Sequence, residues 1–133
     1  TRLPFMPAPS VQPLIALDAV VLDTETTGLD PAKARIVQIG AMALRQGRLL
    51  PEERFERLVD PGVPIPASAT AIHHIDDAAV AGAATFPHAF EAFETFRAGR
   101  ILVGHNLGFD LAIIRRECRL AGRAFEPPPS LDT

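Results

Sequence analysis

The stretch from Ile15 to Asp23 is apolar almost without a break, rich in valine and leucine, and runs directly into Asp23-Thr24-Glu25. A short apolar run of this kind is expected of a central strand buried on both faces. With 133 residues the chain has room for one domain and not for two. Its 47% hydrophobic and 22% charged residues supply a real core and rule out a disordered chain.

Two further strand-like runs follow. Arg35 to Arg45 (RIVQIGAMALR) is apolar at its centre, and Glu53 to Asp60 alternates in part with period two. Gly28 marks a turn after the first run and Gly47 a turn between the second and third, which predicts an antiparallel meander. The pattern then changes. Pro61 to Pro66 is a proline-rich connection, and a short helix is expected around Ser68 to His74. Thr85-Phe86-Pro87 reads as a helix start with a capping hydroxyl, and Phe86, Phe90 and Phe93 form a core-facing stripe. Gly99 closes that helix, Ile101 to Val103 is a short buried strand, and a second helix runs from Leu107 to about Ala121. Leu111, Ile114, Cys118 and Ala121 are expected on its inner face, with Gly122 as its stop. The whole is an α/β pattern with a mixed sheet.

Residues 1–15 carry Pro4, Pro7, Pro9 and Pro13 and read as a linker or domain approach. Residues 16–133 form the domain. Both ends look cut, as in a piece of a longer polypeptide. The single cysteine excludes an internal disulfide and a cysteine-built zinc site, and Cys118 itself reads as a buried, inert thiol. No stretch is long and apolar enough to span a bilayer, and the start lacks the features of a signal peptide, so a soluble cytoplasmic domain is expected. The net charge of −3 argues against a surface that grips nucleic acid all over, yet it permits carboxylates at a catalytic centre.

Two segments carry chemistry. Asp23 and Glu25 are two residues apart on a strand and so share a face, where their charges repel by ~3 kcal/mol if about 5 Å apart at an effective dielectric near 20. A cation, a proton or water at the strand end must offset this. Solvated turn carboxylates are the plainer reading of the triplet alone. In Gly104-His105-Asn106-Leu107-Gly108-Phe109-Asp110, a short strand opens into a helix with Asp110 in the first turn. There the helix dipole already favours a carboxylate, and Asn106 can serve as a cap. If the two strands are parallel neighbours, Asp110 approaches Asp23 and Glu25. An oxygen-only cluster of three then suits Mg²⁺ or Mn²⁺.

VVLDTETTGLDP, RIVQIGAM, ATAIHHIDD and VGHNLGFDLAIIRRE resemble, in order and spacing, the DEDD superfamily of 3′–5′ exonucleases. The similarity is to the histidine-type branch that includes the proofreading epsilon subunit of bacterial DNA polymerase III. It covers about residues 16–133. The resemblance implies a ribonuclease-H-like mixed sheet flanked by helices, here incomplete at its C-terminus. It implies two divalent ions, with Asp23 bridging both and Glu25 and Asp110 as further ligands. Thr26, His73, Asn106 and Phe109 match positions near the terminal nucleotide, and Phe109 offers a face for base stacking. The family's third motif, a histidine and a fourth aspartate, would fall beyond residue 133, and its presence there would favour an enzyme over a binding module. Asp132 is not that aspartate, and His74 and His88 are misplaced for a general base, so no general base is expected in this chain and its activity should be weak.

The implied substrate is a single-stranded 3′ end of DNA, or of RNA in a trimming relative, and the implied partners are a polymerase or a fused upstream domain. A non-catalytic binding module on the same fold is the competing class. Arg115, Arg116, Arg119 and Arg123, with Arg97 and Arg100, form a basic side that either holds a phosphate backbone or is a solvated face. Apolar surface left by missing helices makes self-association of the chain an expectation as well.

Overall fold

The computed structural model describes residues 17–133; the proline-rich segment and the first residues of the expected first strand lie outside them. Strands β1 (Asp18–Thr26), β2 (Ile36–Arg45) and β3 (Arg48–Leu58) come first, followed by helices α1 (Ala67–His73), α2 (Asp77–Val80) and α3 (Phe86–Arg97). Strand β4 (Ile101–Gly104), helix α4 (Leu107–Leu120) and strand β5 (Ser130–Asp132) complete the described order. The sheet runs β3-β2-β1-β4-β5. β1 and β2, and β2 and β3, are antiparallel, whereas β4 lies parallel to β1 and β5 parallel to β4. The apolar strand is therefore the centre of the sheet, as its composition requires.

The meander forms through a two-residue hairpin between Arg45 and Arg48. Gln46 and Gly47 both have positive φ, 53° and 75°, the geometry that matches the twist of the flanking strands. β3 starts at Arg48 rather than at Glu53. Its early part contains Pro51, which has no N–H for a ladder, but the register jumps there from Arg54 to Leu50 opposite Met42 and Ala43. A proline at a bulge on an edge strand costs no inner hydrogen bond. β3 also ends before Asp60, at Leu58, after which Val59 donates its N–H to the Val37 carbonyl at 2.8 Å. β1 continues past Asp23, because Thr24 and Glu25 still pair with Ile39 and Gln38.

The helices differ from expectation in their details. α1 stops at His73, and His74 takes the left-handed cap at φ 63°. α2 was not legible as a separate helix; Asp76 starts it by accepting the Ala79 N–H at 2.9 Å. Thr85 caps α3 through its backbone alone, since its hydroxyl makes no capping bond. α3 packs Phe86, Phe90 and Phe93 into the core as predicted, with Phe86 stacked on Phe90 at 5.2 Å and Phe93 edge-on to Phe55 at 5.8 Å. On α4 the inner stripe is rotated: Leu107, Asp110, Ile113, Ile114, Glu117 and Cys118 are buried, while Leu111 is half-buried and Ala121 exposed. Two carboxylates thus sit on the face that an apolar stripe should occupy. Cys118 is fully buried, and burial pushes its thiol up to about 11, which makes it inert at neutral pH.

β4 meets α4 at Gly104, where backbones approach closely. A Cβ there would lie 2.9 Å from Leu107 Cδ1 and 3.0 Å from the Leu22 carbonyl oxygen. Gly104→Ala is therefore expected to destabilise the fold by roughly 1–3 kcal/mol through forced displacement of β1 or α4. A urea denaturation midpoint equal to that of the wild type would contradict this packing.

Candidate active site

The site forms where β1 ends beside the start of α4. Alternation along β1 sends Thr24 towards the helical layer and Asp23 and Glu25 to the other side. Thr24 is buried, and it reaches Asp110 in the first turn of α4. Asp110 Oδ1 accepts the Thr24 backbone N–H at 3.2 Å and also the Thr24 hydroxyl. Asp110 is only 5% exposed. Burial pushes its carboxyl above the usual range, the two Thr24 bonds pull it down, and the charge of Asp23 adds to the upward push. Glu25 is also raised, first by partial burial and then by Asp23, with His73 opposing. Asp23 is therefore the shared charge that couples the other two carboxyls.

No ion pair among the described residues reaches Asp23, Glu25 or Asp110. Nor do any three acidic, histidine or cysteine side chains among them close around a point tightly enough to enclose an ion. Asp110 is bonded to Thr24 and feels the Asp23 charge, but no hydrogen bond joins it to Asp23 or Glu25. The result is an open set of hard oxygen donors with uncompensated charge. That donor set fits Mg²⁺ or Mn²⁺ and suits softer metals poorly.

Asp23 borders one cavity with Val21, Met42 and Arg54, whereas beside Glu25 lies a separate cavity of about 420 Å³, lined also by Thr24, Thr26, Gly28, Leu29, Ser68, Ala69, Ile72, His73 and Phe109. Leu29 and Ile72 are 83% and 72% exposed at its rim, so the walls present apolar surface to a ligand. Thr26 donates its hydroxyl to the Gly28 carbonyl at 2.7 Å, and its own carbonyl lies 3.0 Å from His73 Nε2. The Ile75 N–H donates to His73 Nδ1 at 3.1 Å. With Nδ1 accepting, Nε2 carries the proton and donates it to Thr26. Both ring nitrogens are thus engaged in backbone bonds, and His73 joins α1 to the end of β1.

The sequence-derived residues Thr26, His73 and Phe109 therefore meet Glu25 at one cavity. Asn106 does not line it. It is exposed before α4, in the left-handed region at φ 55°, and its side chain makes no cap bond. The expected basic side is largely tied within the fold. Arg97 bonds to Glu94 and the Arg100 carbonyl, Arg100 bonds to the Phe96 carbonyl and lies near Asp18, and Arg123 pairs with Glu91. Arg100 thereby stands at the Asp18 end of β1, away from the carboxylates. Sequence reasoning missed Thr24, Leu29, Ile72 and Glu117. For Thr24 a signal existed, since its parity between Asp23 and Glu25 places it inward.

A model of the exonuclease family known as RNase_T matches residues 20–133, and the chain belongs to this family. It is 47% identical over 122 residues to a DNA polymerase III subunit epsilon-like protein of Rhodobacter capsulatus, a match that covers 91% of this chain and 17% of that protein. Among solved structures, exonuclease X in complex with 5′-overhanging duplex DNA superposes with a TM-score of 0.63 at 27% identity, over 86% of this chain and 58% of that one. Cell-death related nuclease 4 superposes with a TM-score of 0.71 at 18% identity, over 83% and 42%, a likeness of fold alone. The sheet is the ribonuclease-H-like mixed sheet of these exonucleases, and the chain spans under a fifth of its Rhodobacter relative.

The raised carboxyls fix a pH dependence. Glu25 and Asp110 bind protons more readily when folded than when unfolded, so their contribution favours the fold at acid pH and is lost as pH rises through their raised folded values. Asp23→Asn removes the charge that raises both. In metal-free buffer it is expected to stabilise the fold by roughly 1 kcal/mol at about pH 7, or about 4 °C in Tm, with the gain vanishing towards about pH 3. Thermal melts of both proteins across that range check it; a destabilised variant at neutral pH would contradict the coupling.

Proposed function

We propose that this site hydrolyses phosphodiester bonds at the 3′ ends of nucleic acid and releases nucleoside monophosphates, as a proofreading-like exonuclease on DNA. The observation that carries this reading is the uncompensated carboxylate set at the end of β1, with Glu25 lining a cavity that has apolar walls. A merely structural strand end has no reason to keep three mutually repelling carboxylates without a cation. The relatives' exonuclease and polymerase names support the same class.

Asp23, Glu25 and Asp110 would hold two Mg²⁺ or Mn²⁺, which when bound lower the pKa of water and stabilise a departing 3′ oxygen. Both Thr24 bonds go to Asp110 Oδ1. The Thr24 bonds therefore orient the ligand before the metal arrives. Leu29, Ile72 and Phe109 would exclude water from one side of the terminal nucleotide and meet its base and sugar, with Thr26 beside them. His73 positions Thr26, with both ring nitrogens engaged by backbone groups of Thr26 and Ile75. His74 caps α1 and His88 lies on α3, outside the cavity. None of these three is placed to act as a general base, and a chain without one would lose a rate factor of ~10²–10⁴.

A polymerase is the partner class that the epsilon-like relative supports. None of the described helices is long and apolar enough to cross a membrane.

The test uses matched single-stranded DNA and RNA, labelled at the 5′ end, with Mn²⁺ and this chain. Slow shortening from the 3′ end, faster on DNA and abolished in Asp23→Asn, is expected, together with a Tm that rises with Mn²⁺ only when Asp23 is intact. Faster shortening of RNA would reassign the substrate to RNA. A chain that neither shortens a strand nor gains stability from Mn²⁺ would instead be a non-catalytic module.

A further inference from the structure

The cavity wall formed by Gly28 and Leu29 belongs to the β1–β2 loop, and the neck of that loop is closed by two backbone-centred bonds. The Thr27 N–H donates to the Arg35 carbonyl at 2.9 Å, and the Arg35 N–H donates to the Thr27 hydroxyl oxygen at 2.9 Å. The neck is then fastened to α4. Glu117 is 1% exposed; its Oε1 accepts Arg35 Nε at 3.0 Å and lies 2.9 Å from Arg35 Nη2, while its Oε2 accepts the Ile36 N–H at 2.9 Å. Arg116 adds a bond from Nη1 to the Ala34 carbonyl at 3.1 Å.

Glu117 follows Asp110 by seven residues, two turns along the same buried stripe. One rigid helix therefore carries a candidate metal ligand at one level and, two turns on, grips the neck of the loop that forms part of the cavity wall. A buried ion pair is a poor way to add stability, because packed apolar side chains of similar volume serve as well or better. What it adds is one defined geometry between two elements.

We propose that Glu117 and Arg35 are positioning residues that set the Thr26–Leu29 wall against Asp110 and so determine how tightly the site takes a terminal nucleotide. This rests on the exonuclease reading above. Neither residue lines the cavity, so each acts through the loop.

The test measures binding of thymidine 5′-monophosphate in the presence of Mn²⁺, and of Mn²⁺ alone, by calorimetry on the full chain. The proteins are the wild type, Glu117→Gln, Arg35→Gln and the double variant, with Arg45→Gln as a control that breaks a remote surface pair with Glu53. Each single substitution is expected to weaken nucleotide binding roughly tenfold or more, since small misplacements at a site are costly. Mn²⁺ affinity should change by less than about twofold, and the double variant should be no weaker than the weaker single one, as expected of groups that act as a unit. Arg45→Gln should leave both affinities unchanged.

Glu117→Gln keeps an acceptor for Ile36, and the double variant buries no lone charge, so at least one folded variant is available; thermal melts verify it. Folded variants that bind the nucleotide like the wild type overturn the inference, as does a strictly additive double variant. A wild type that binds Mn²⁺ but no nucleotide overturns the exonuclease reading itself.

Discussion

Everything at this site depends on how Asp110 is held to Thr24. A carboxylate that is nearly out of solvent must be compensated, and here most of the compensation comes from Thr24, through its amide and its hydroxyl together. That bond ties the end of the central strand to the first turn of α4. It also leaves the Asp23 charge close enough to raise the carboxyls on either side of the strand. The fold thereby keeps a concentration of negative charge that hydrophobic packing alone would never select.

The same helix shows two solutions to a buried carboxylate. Glu117 is neutralised by a guanidinium and a backbone N–H, so its charge is settled within the fold. Asp110, on the same stripe, has only neutral donors and a like charge nearby. The contrast separates a residue that fixes geometry from one left electrostatically incomplete. Such incompleteness, next to an apolar cavity, is what a cation and a phosphate-bearing ligand would relieve.

Much of this was legible in the sequence. The nearly unbroken apolar run ending at Asp23 determined a central strand, the turn at Gly47 a meander, and the phenylalanine spacing a core helix. Asp23, Glu25 and Asp110 stood out because carboxylates at a strand end and a helix start have few other partners. The misses share one cause: each depended on a neighbour distant in sequence. β3 continues through Pro51 because it is an edge strand with a bulge, and edge position is a property of the sheet. The rotated stripe of α4 reads as polar in sequence, because Glu117 becomes an inner residue only when Arg35 arrives from 82 positions away. Asn106 looked like a cap and a site residue; it stands at the N-cap in a left-handed conformation, but its side chain makes no cap bond and does not line the cavity.

Local patterning, then, determined which segments are strands and helices and which carboxylates border the turns, because periodicity and turn chemistry act over a few residues. The tertiary structure alone decided that Asp110 reaches the strand through Thr24, that Leu29, Ile72 and Phe109 share a cavity with Glu25, and that α4 grips the loop opposite. Those are contacts between elements, and their geometry is set by the parallel pairing of β1 with β4 and by the close approach at Gly104, which local sequence does not encode.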